Sequence, residues 1–418
     1  NKPFPPFYRD IAVFGLKTTG DDLPIDMSSA TLTCTGTDAV VENLVDGNKD
    51  SACILPKARP DAPQSITLEF PKPISARGFR ITSDRRYQAH AGELQVSTDG
   101  VDYQLLAPFK MVVKEGSSSF PRTTSRFWRI VFTKTGFSAS ELRIAEIELS
   151  PNSKISNIVE KAGYYRSPHS RTVIEVPDLG HTADALSGDS VIDLTDKLSE
   201  EGVLSWDVPA GHWTILRLGH TITGARVHPT TNREEHSFEC DKMSKAVITD
   251  NYNTFVGKLV KDVGSLAGST LTHVLVDSWE AECQNWSDEL IEQFKKHRGY
   301  DPTPYLPVTQ GFIIDSEEIS ERFLWDFRRT LADLHADVFY KTVTELANAD
   351  GLEPWSEVYN PANFDTFQSV SRVDVPMTEF WFNHPLHRGF AKHAASVAHA
   401  LGKPIVPAEA FTATPESA

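Results

Sequence analysis

Four short apolar runs in this chain end in carboxylates. "HVLVDSWE" (273–280) ends in Asp277 and Glu280, "GLEPWSEVY" (351–359) carries Glu357, "DVPMTEFW" (374–381) carries Glu379, and "PIVPAEAFT" (404–412) carries Glu409. Trp279 adjoins Glu280, and Trp381 follows Glu379 by two residues. Carboxyl groups on either side of a glycosidic bond can cleave it: one donates a proton to the leaving oxygen, and the other activates water or attacks directly. The proton donor needs a raised pKa, which burial or like charge supplies. Aromatic faces serve that end and also stack on the apolar faces of sugars. A single Glu at a strand end is more often a cap or an ion-pair partner; the recurrence points to a shared pocket. More than two clustered carboxylates repel, and a hard cation such as Ca²⁺ or Mg²⁺, which takes oxygen ligands, is one remedy.

Such acids need rigid supports. Strand-like runs alternate with helical stretches at 242–266, 287–298, 318–349 and 388–402, the pattern of a parallel sheet. Ser287 is placed as a helix N-cap and Gly299 as a stop. In a (β/α)8 barrel the C-terminal strand ends converge on one face, which holds the active site. A doubly wound open sheet would spread the acids along an edge, and no Gly-rich phosphate loop is present to suit it. The expected fold class is therefore α/β, a (β/α)8 barrel. Six candidate strands are counted, including one near 8–16 and one at 213–218. The missing two are expected beyond Ala418, so the chain reads as a piece of a longer protein.

Residues 30–150 read differently. Runs such as "SITLEF", "RGFRIT", "ELQVST" and "RFWRIVF" alternate apolar with polar residues between turn residues, as in an all-β sandwich. The expected organisation is a first barrel strand and linker over 1–25, a jelly-roll sandwich inserted over 26–152, and the barrel over 153–418. Secondary candidates carry less. His220 reads as a structural or rim residue. Glu239, Asp241 and Lys242 form either a capping arrangement or a sugar-contacting loop. His384, His387, His393 and His399 lack the i,i+4 spacing of a zinc helix.

The chain has 418 residues and a formal charge of −16, which disfavours nucleic acid and anionic membrane as partners. No apolar run approaches the ~20 residues of a membrane span. Cys34, Cys53, Cys240 and Cys283 form no CxxC pair; Cys34 and Cys53 either pair or remain free thiols.

Residues 30–150 resemble discoidin-like (F5/8 type C) modules through "NLVDGNKDS", "LQVSTDGVDY", "RFWRIVF" and "IAEIEL"; such modules often bind sugars or cap neighbouring domains. The rest resembles the α-L-rhamnosidases of glycoside hydrolase family 106, through "DVPAGHWTILRLGHTITG", "ECDKMS", "VDSWEAECQNW", "HRGYDPTPYLP", "SERFLWDFRRTLADL", "DVPMTEFW" and "AEAFT". The resemblance implies a (β/α)8 catalytic domain with added β-sandwiches, inverting removal of terminal α-L-rhamnose, a calcium ion that helps hold the sugar, and a periplasmic or secreted location. Carried over by position, Glu280 is the general acid, Glu409 the base and Glu379 a calcium ligand or a carboxylate supporting the ligands, with Glu379 and Glu409 interchangeable as base. Asp277, Trp279, Trp286, Glu357 and Trp381 are expected at the substrate, with Glu357 alternatively at the metal and Asp277 alternatively a residue that orients its neighbours. Two other readings stay open: a retaining barrel glycosidase of another specificity, and a non-catalytic carbohydrate-binding fragment.

Overall fold

The computed structural model describes residues 7–18, 23–36, 39–85, 90–111, 114–136, 139–164, 185–227, 238–357, 362–382 and 388–412. Strand β1 (Tyr8–Thr18) buries Ala12, Val13, Phe14 and Leu16. The chain then enters an antiparallel block: β2 (Thr31–Cys34), β3 (Cys53–Pro56), β4 (Gln64–Thr82), β5 (His90–Ser97), β6 (Tyr103–Met111), β7 (Glu115–Lys134), β8 (Glu141–Ile144) and β9 (Glu146–Ser150). One sheet runs β2-β4-β7-β5-β6, with β9 also on β4, and β3 pairs with β8. The two sheets share one core, in which Cys53, Leu55, Leu142 and Ile144 pack with Ile66, Phe70, Phe79, Leu94, Trp128 and Phe132. Alternate residues of β4, β5 and β7 point into it, as period-2 side-chain geometry requires.

After the block come a short helix α1 (Ile158–Lys161) and strands β10 (Val191–Asp193) and β11 (His212–Thr221). β1 pairs antiparallel with both, in the order β10-β1-β11. This corrects the expectation for two of the six candidate barrel strands. The runs at 8–16 and 213–218 pair with each other, and the sandwich is inserted between strands of this small sheet. A strand-like run suits an antiparallel ribbon as well as a barrel, so strand existence was legible and partner choice was not.

The remaining elements alternate: α2 (Lys245–Val263), β12 (His273–Val276), α3 (Leu290–Arg298), α4 (Glu317–Leu334), a π-helical turn (His335–Tyr340), α5 (Lys341–Ala349), β13 (Glu353–Glu357), α6 (Thr366–Val370), β14 (Val375–Trp381), α7 (Arg388–Leu401) and β15 (Ala408–Thr412). The four strands form one parallel sheet in chain order, part of a barrel rather than a closed one among the described residues. Ser316 caps α4 by accepting from the Ile319 N–H at 3.1 Å, with Glu317 and Glu318 in the first turn. α3 stops at Gly299, whose φ of +82° suits glycine. Ser287 does not cap α3 with its side chain; its hydroxyl donates instead to Asp241 at 2.8 Å.

β1 and the helices share a second core, with Phe14, Leu16, Phe294, Phe323, Phe327 and Leu331 at its centre. Lys161 is fully buried there and pairs with Glu321.

Candidate active site

Strand register alone gathers the acids. Val276 lies opposite Ser356, Glu357 opposite Met377, and Glu379 opposite Glu409. Partners in a parallel sheet share a face, and residues two apart on one strand do too. Continuing the β12–β13 register by one residue sets Asp277 opposite Glu357. Asp277, Glu357, Glu379 and Glu409 therefore project from one face at the C-terminal strand ends. One carboxylate oxygen each from Asp277, Glu357 and Glu409 lie within 4.8 Å of one another.

Irregular backbone marks the same rim. The β14–β15 register slips between Phe380 and Trp381, so that Trp381 faces Thr412 and Phe411 is the extra residue. Phe411 takes φ +60°, an unusual value for a bulky side chain, and its ring meets Phe380 edge-on at 5.0 Å. Thr412 Oγ1 donates to Glu409 Oε1 at 2.9 Å across this bulge.

Electrostatics follow from crowding. Glu357 is fully buried, and neither of its oxygens meets a hydrogen-bond donor among the described residues. Burial, then the negative charges of Asp277, Glu379 and Glu409, push its pKa up to about 8. Glu379 is 5% exposed and is also raised, chiefly by burial. The Trp381 indole N–H donates to it and works the other way, while Glu409, Asp277 and Glu280 add negative charge. Glu280 thus acts on the same cluster from the loop after β12.

The other expected residues divide. Trp381 is half-buried at the rim. Trp279 is 5% exposed and packs edge-on to His335, Phe339 and Phe364, with centroids 5.1, 6.0 and 5.4 Å away. The indole is thus largely packed among protein rings while one part of it lines a cavity; the Trp-beside-Glu signal does not distinguish packing from a substrate contact. Trp286 lines two cavities of about 230 and 320 Å³ together with His220. His220 Nε2 sits 3.2 Å from Asp288, and burial lowers its pKa. Lys242 pairs with Glu239 at 2.6 Å. His393 and His399 lie on α7, whereas His384 and His387 fall outside the described residues.

The residues suit a hard cation. A buried carboxyl facing only other carboxylates needs either a proton or a metal ion. Ca²⁺–oxygen distances of about 2.3–2.6 Å allow two ligand oxygens up to about 5 Å apart, and the Asp277–Glu357–Glu409 spread fits that limit. Glu379, the expected ligand, is not in this group. Asp277, expected to touch substrate, is; aligning the strand ends by register is the signal that finds it.

Residues 1–417 match the alpha-L-rhamnosidase family, glycoside hydrolase family 106. The solved structure of the rhamnosidase from Novosphingobium sp. PP1Y superposes with a TM-score of 0.79 at 27% identity, over 98% of this chain and 39% of that one. A Formosa agariphila protein named "Putative beta-glucuronidase" is 40% identical over 223 residues, covering 53% of this chain and 19% of the relative. The family 32 carbohydrate-binding module of C. perfringens NanJ, solved with galactose, aligns with 30% of this chain and 96% of its own at 19% identity and a TM-score of 0.26. The chain spans 39% of the Novosphingobium rhamnosidase and 19% of the Formosa protein.

Proposed function

Because this chain belongs to the α-L-rhamnosidase family, glycoside hydrolase family 106, we propose that it carries the acid-lined part of an active site that removes terminal α-L-rhamnose by inversion. The observation that carries the reading is the convergence of Asp277, Glu357, Glu379 and Glu409 on one face of a parallel sheet, with Glu280 acting on them from the adjoining loop. Glu280 is the general acid: it gives its proton to the glycosidic oxygen as the C1–O bond breaks. Glu409 is the base: it takes a proton from the water whose oxygen bonds to C1. Glu409 is preferred to Glu379 because it is exposed, whereas Glu379 is buried and engaged by the Trp381 indole.

Asp277, Glu357 and Glu409 would hold a Ca²⁺ ion. Each offers one oxygen to that group, which leaves Glu409 a second oxygen for water. Bound there, the ion supplies positive charge that neutralises the carboxylates and ligates sugar hydroxyls. The described strand ends contribute carboxylates and no cationic side chain, which favours a neutral sugar.

Inversion requires the two carboxyls to stand roughly 6.5–9.5 Å apart, leaving room for water, against about 5–5.5 Å for a covalent route. The test uses the full-length protein on an α-L-rhamnoside with a poor leaving group, such as methyl, with the first-formed anomer read by NMR. Glu280→Gln and Glu409→Gln should each lower kcat by about 10²–10⁴, and the first product should be β-L-rhamnose. Near-normal turnover in either variant, or an α product, would sink the assignment.

A second reading is hydrolysis of a uronoside, prompted by the name of the 40%-identical relative. Turnover of an aryl β-glucuronide and not of the rhamnoside would establish it.

A further inference from the structure

The loop carrying Glu280 has neither helix nor strand between Asp277 and Ser287, yet two of its residues are tied to one carboxylate from another segment. Asp241 Oδ1 accepts from the Met243 N–H at 2.8 Å and from Gln284 Nε2 at 2.5 Å, and Oδ2 accepts from Ser287 Oγ at 2.8 Å. Gln284 is held further. Its Oε1 accepts from the Lys242 N–H at 3.0 Å, its Nε2 also donates to the Trp286 carbonyl at 3.1 Å, and its carbonyl accepts from Asn363 Nδ2 at 3.0 Å. Nearer the acid, the Trp279 indole N–H donates to the Glu282 carbonyl at 2.7 Å, and Glu282 takes φ +60°, a conformation side chains disfavour.

We propose that Asp241 is a positioning residue for the acid, holding the Glu280 loop against the start of α2 through Gln284 and Ser287. This rests on Glu280 being the acid. Hydrogen bonds to an ionised acceptor are roughly twice as strong as neutral ones, so a half-buried Asp is the right group to anchor a loop without regular structure. Asp241, Gln284, Trp279 and Ala281 line the same cavity, and Glu280, between the last two in sequence, does not. The Glu280 charge reaches Glu379. Both Asp241 oxygens accept hydrogen bonds from within the protein.

A displaced general acid has a signature that a folding defect lacks. Protonation of the leaving oxygen matters most when the leaving group is a poor one. The experiment measures kcat/KM of the full-length protein on methyl α-L-rhamnoside and on 2,4-dinitrophenyl α-L-rhamnoside. Asp241→Ala should lose about 100-fold on the methyl glycoside, the scale of general acid catalysis, and less than about threefold on the activated one. Asp241→Asn keeps an oxygen for Met243 and Gln284 and should recover most of the loss. If Asp241→Ala does not fold, Ser287→Ala and Gln284→Ala should show the same leaving-group dependence. An equal loss on both substrates, or none, overturns the positioning role while leaving the acid in place. A wild-type protein that cleaves neither rhamnoside overturns the rhamnosidase reading and this one with it.

Discussion

Glu379 and Glu409 are direct register partners on neighbouring parallel strands. Strands stand about 4.8 Å apart, so two like charges are held side by side, and the arrangement tolerates them only through burial-raised pKa values, local donors or a cation. Trp381 and Thr412 are the donors, one to each Glu.

Glu357 makes the apo protein sensitive to alkali. Its folded pKa, about 8, lies above the ordinary carboxyl value near 4.5, so the folded state binds more protons between those limits and stability falls as pH rises through that window. Binding of Ca²⁺ needs the ionised form, so the rise in Tm on adding Ca²⁺ should be larger at pH 8 than at pH 5. Glu357→Gln should flatten the apo pH dependence and remove most of the Ca²⁺ effect, as read by thermal melts. A Ca²⁺ response unchanged by Glu357→Gln would place the cation elsewhere.

The Trp381 indole lowers the Glu379 pKa against burial and neighbouring charge. Trp381→Phe keeps the ring and deletes the donor. The Glu379 carboxyl should then ionise at a higher pH than in the wild type, visible in a ¹³C NMR titration of labelled glutamate. No shift, or a downward one, would show that the indole bond does not act on Glu379 in solution.

Lys161 is fully buried against Glu321, and burial lowers its pKa. Lys161→Ala strands a carboxylate in the core and should cost about 3–5 kcal/mol in denaturant unfolding. The pair Lys161→Met with Glu321→Leu removes both charges and should regain most of that. A single variant as stable as the wild type would mean the pair is solvated.

Gly92 in β5 leaves no room for a methyl group: a Cβ would lie 2.1 Å from the Val131 carbonyl oxygen and 2.8 Å from Phe109. Gly92→Ala should break the β5–β7 pairing locally and lower the Tm of the sandwich. An unchanged melt would contradict the close approach.

The sequence by itself determined the elements and the acids. Apolar runs ending in Glu357, Glu379 and Glu409 become β13, β14 and β15, because alternation and flanking helices leave few other solutions. The long helical period at 318–349 holds too, although it passes through a π turn at His335–Tyr340 that no spacing announces. Tertiary structure decided which strands pair. The runs at 8–16 and 213–218 have the same local pattern as barrel strands, and only long-range hydrogen bonding sets them antiparallel in a separate sheet. It also set Trp279 in a cluster with Tyr340 and Phe364 and brought Asp277 together with Glu357 and Glu409. Residue type and spacing report on local conformation, whereas register and burial depend on contacts between residues far apart in the chain, and those contacts exist only once the chain has folded.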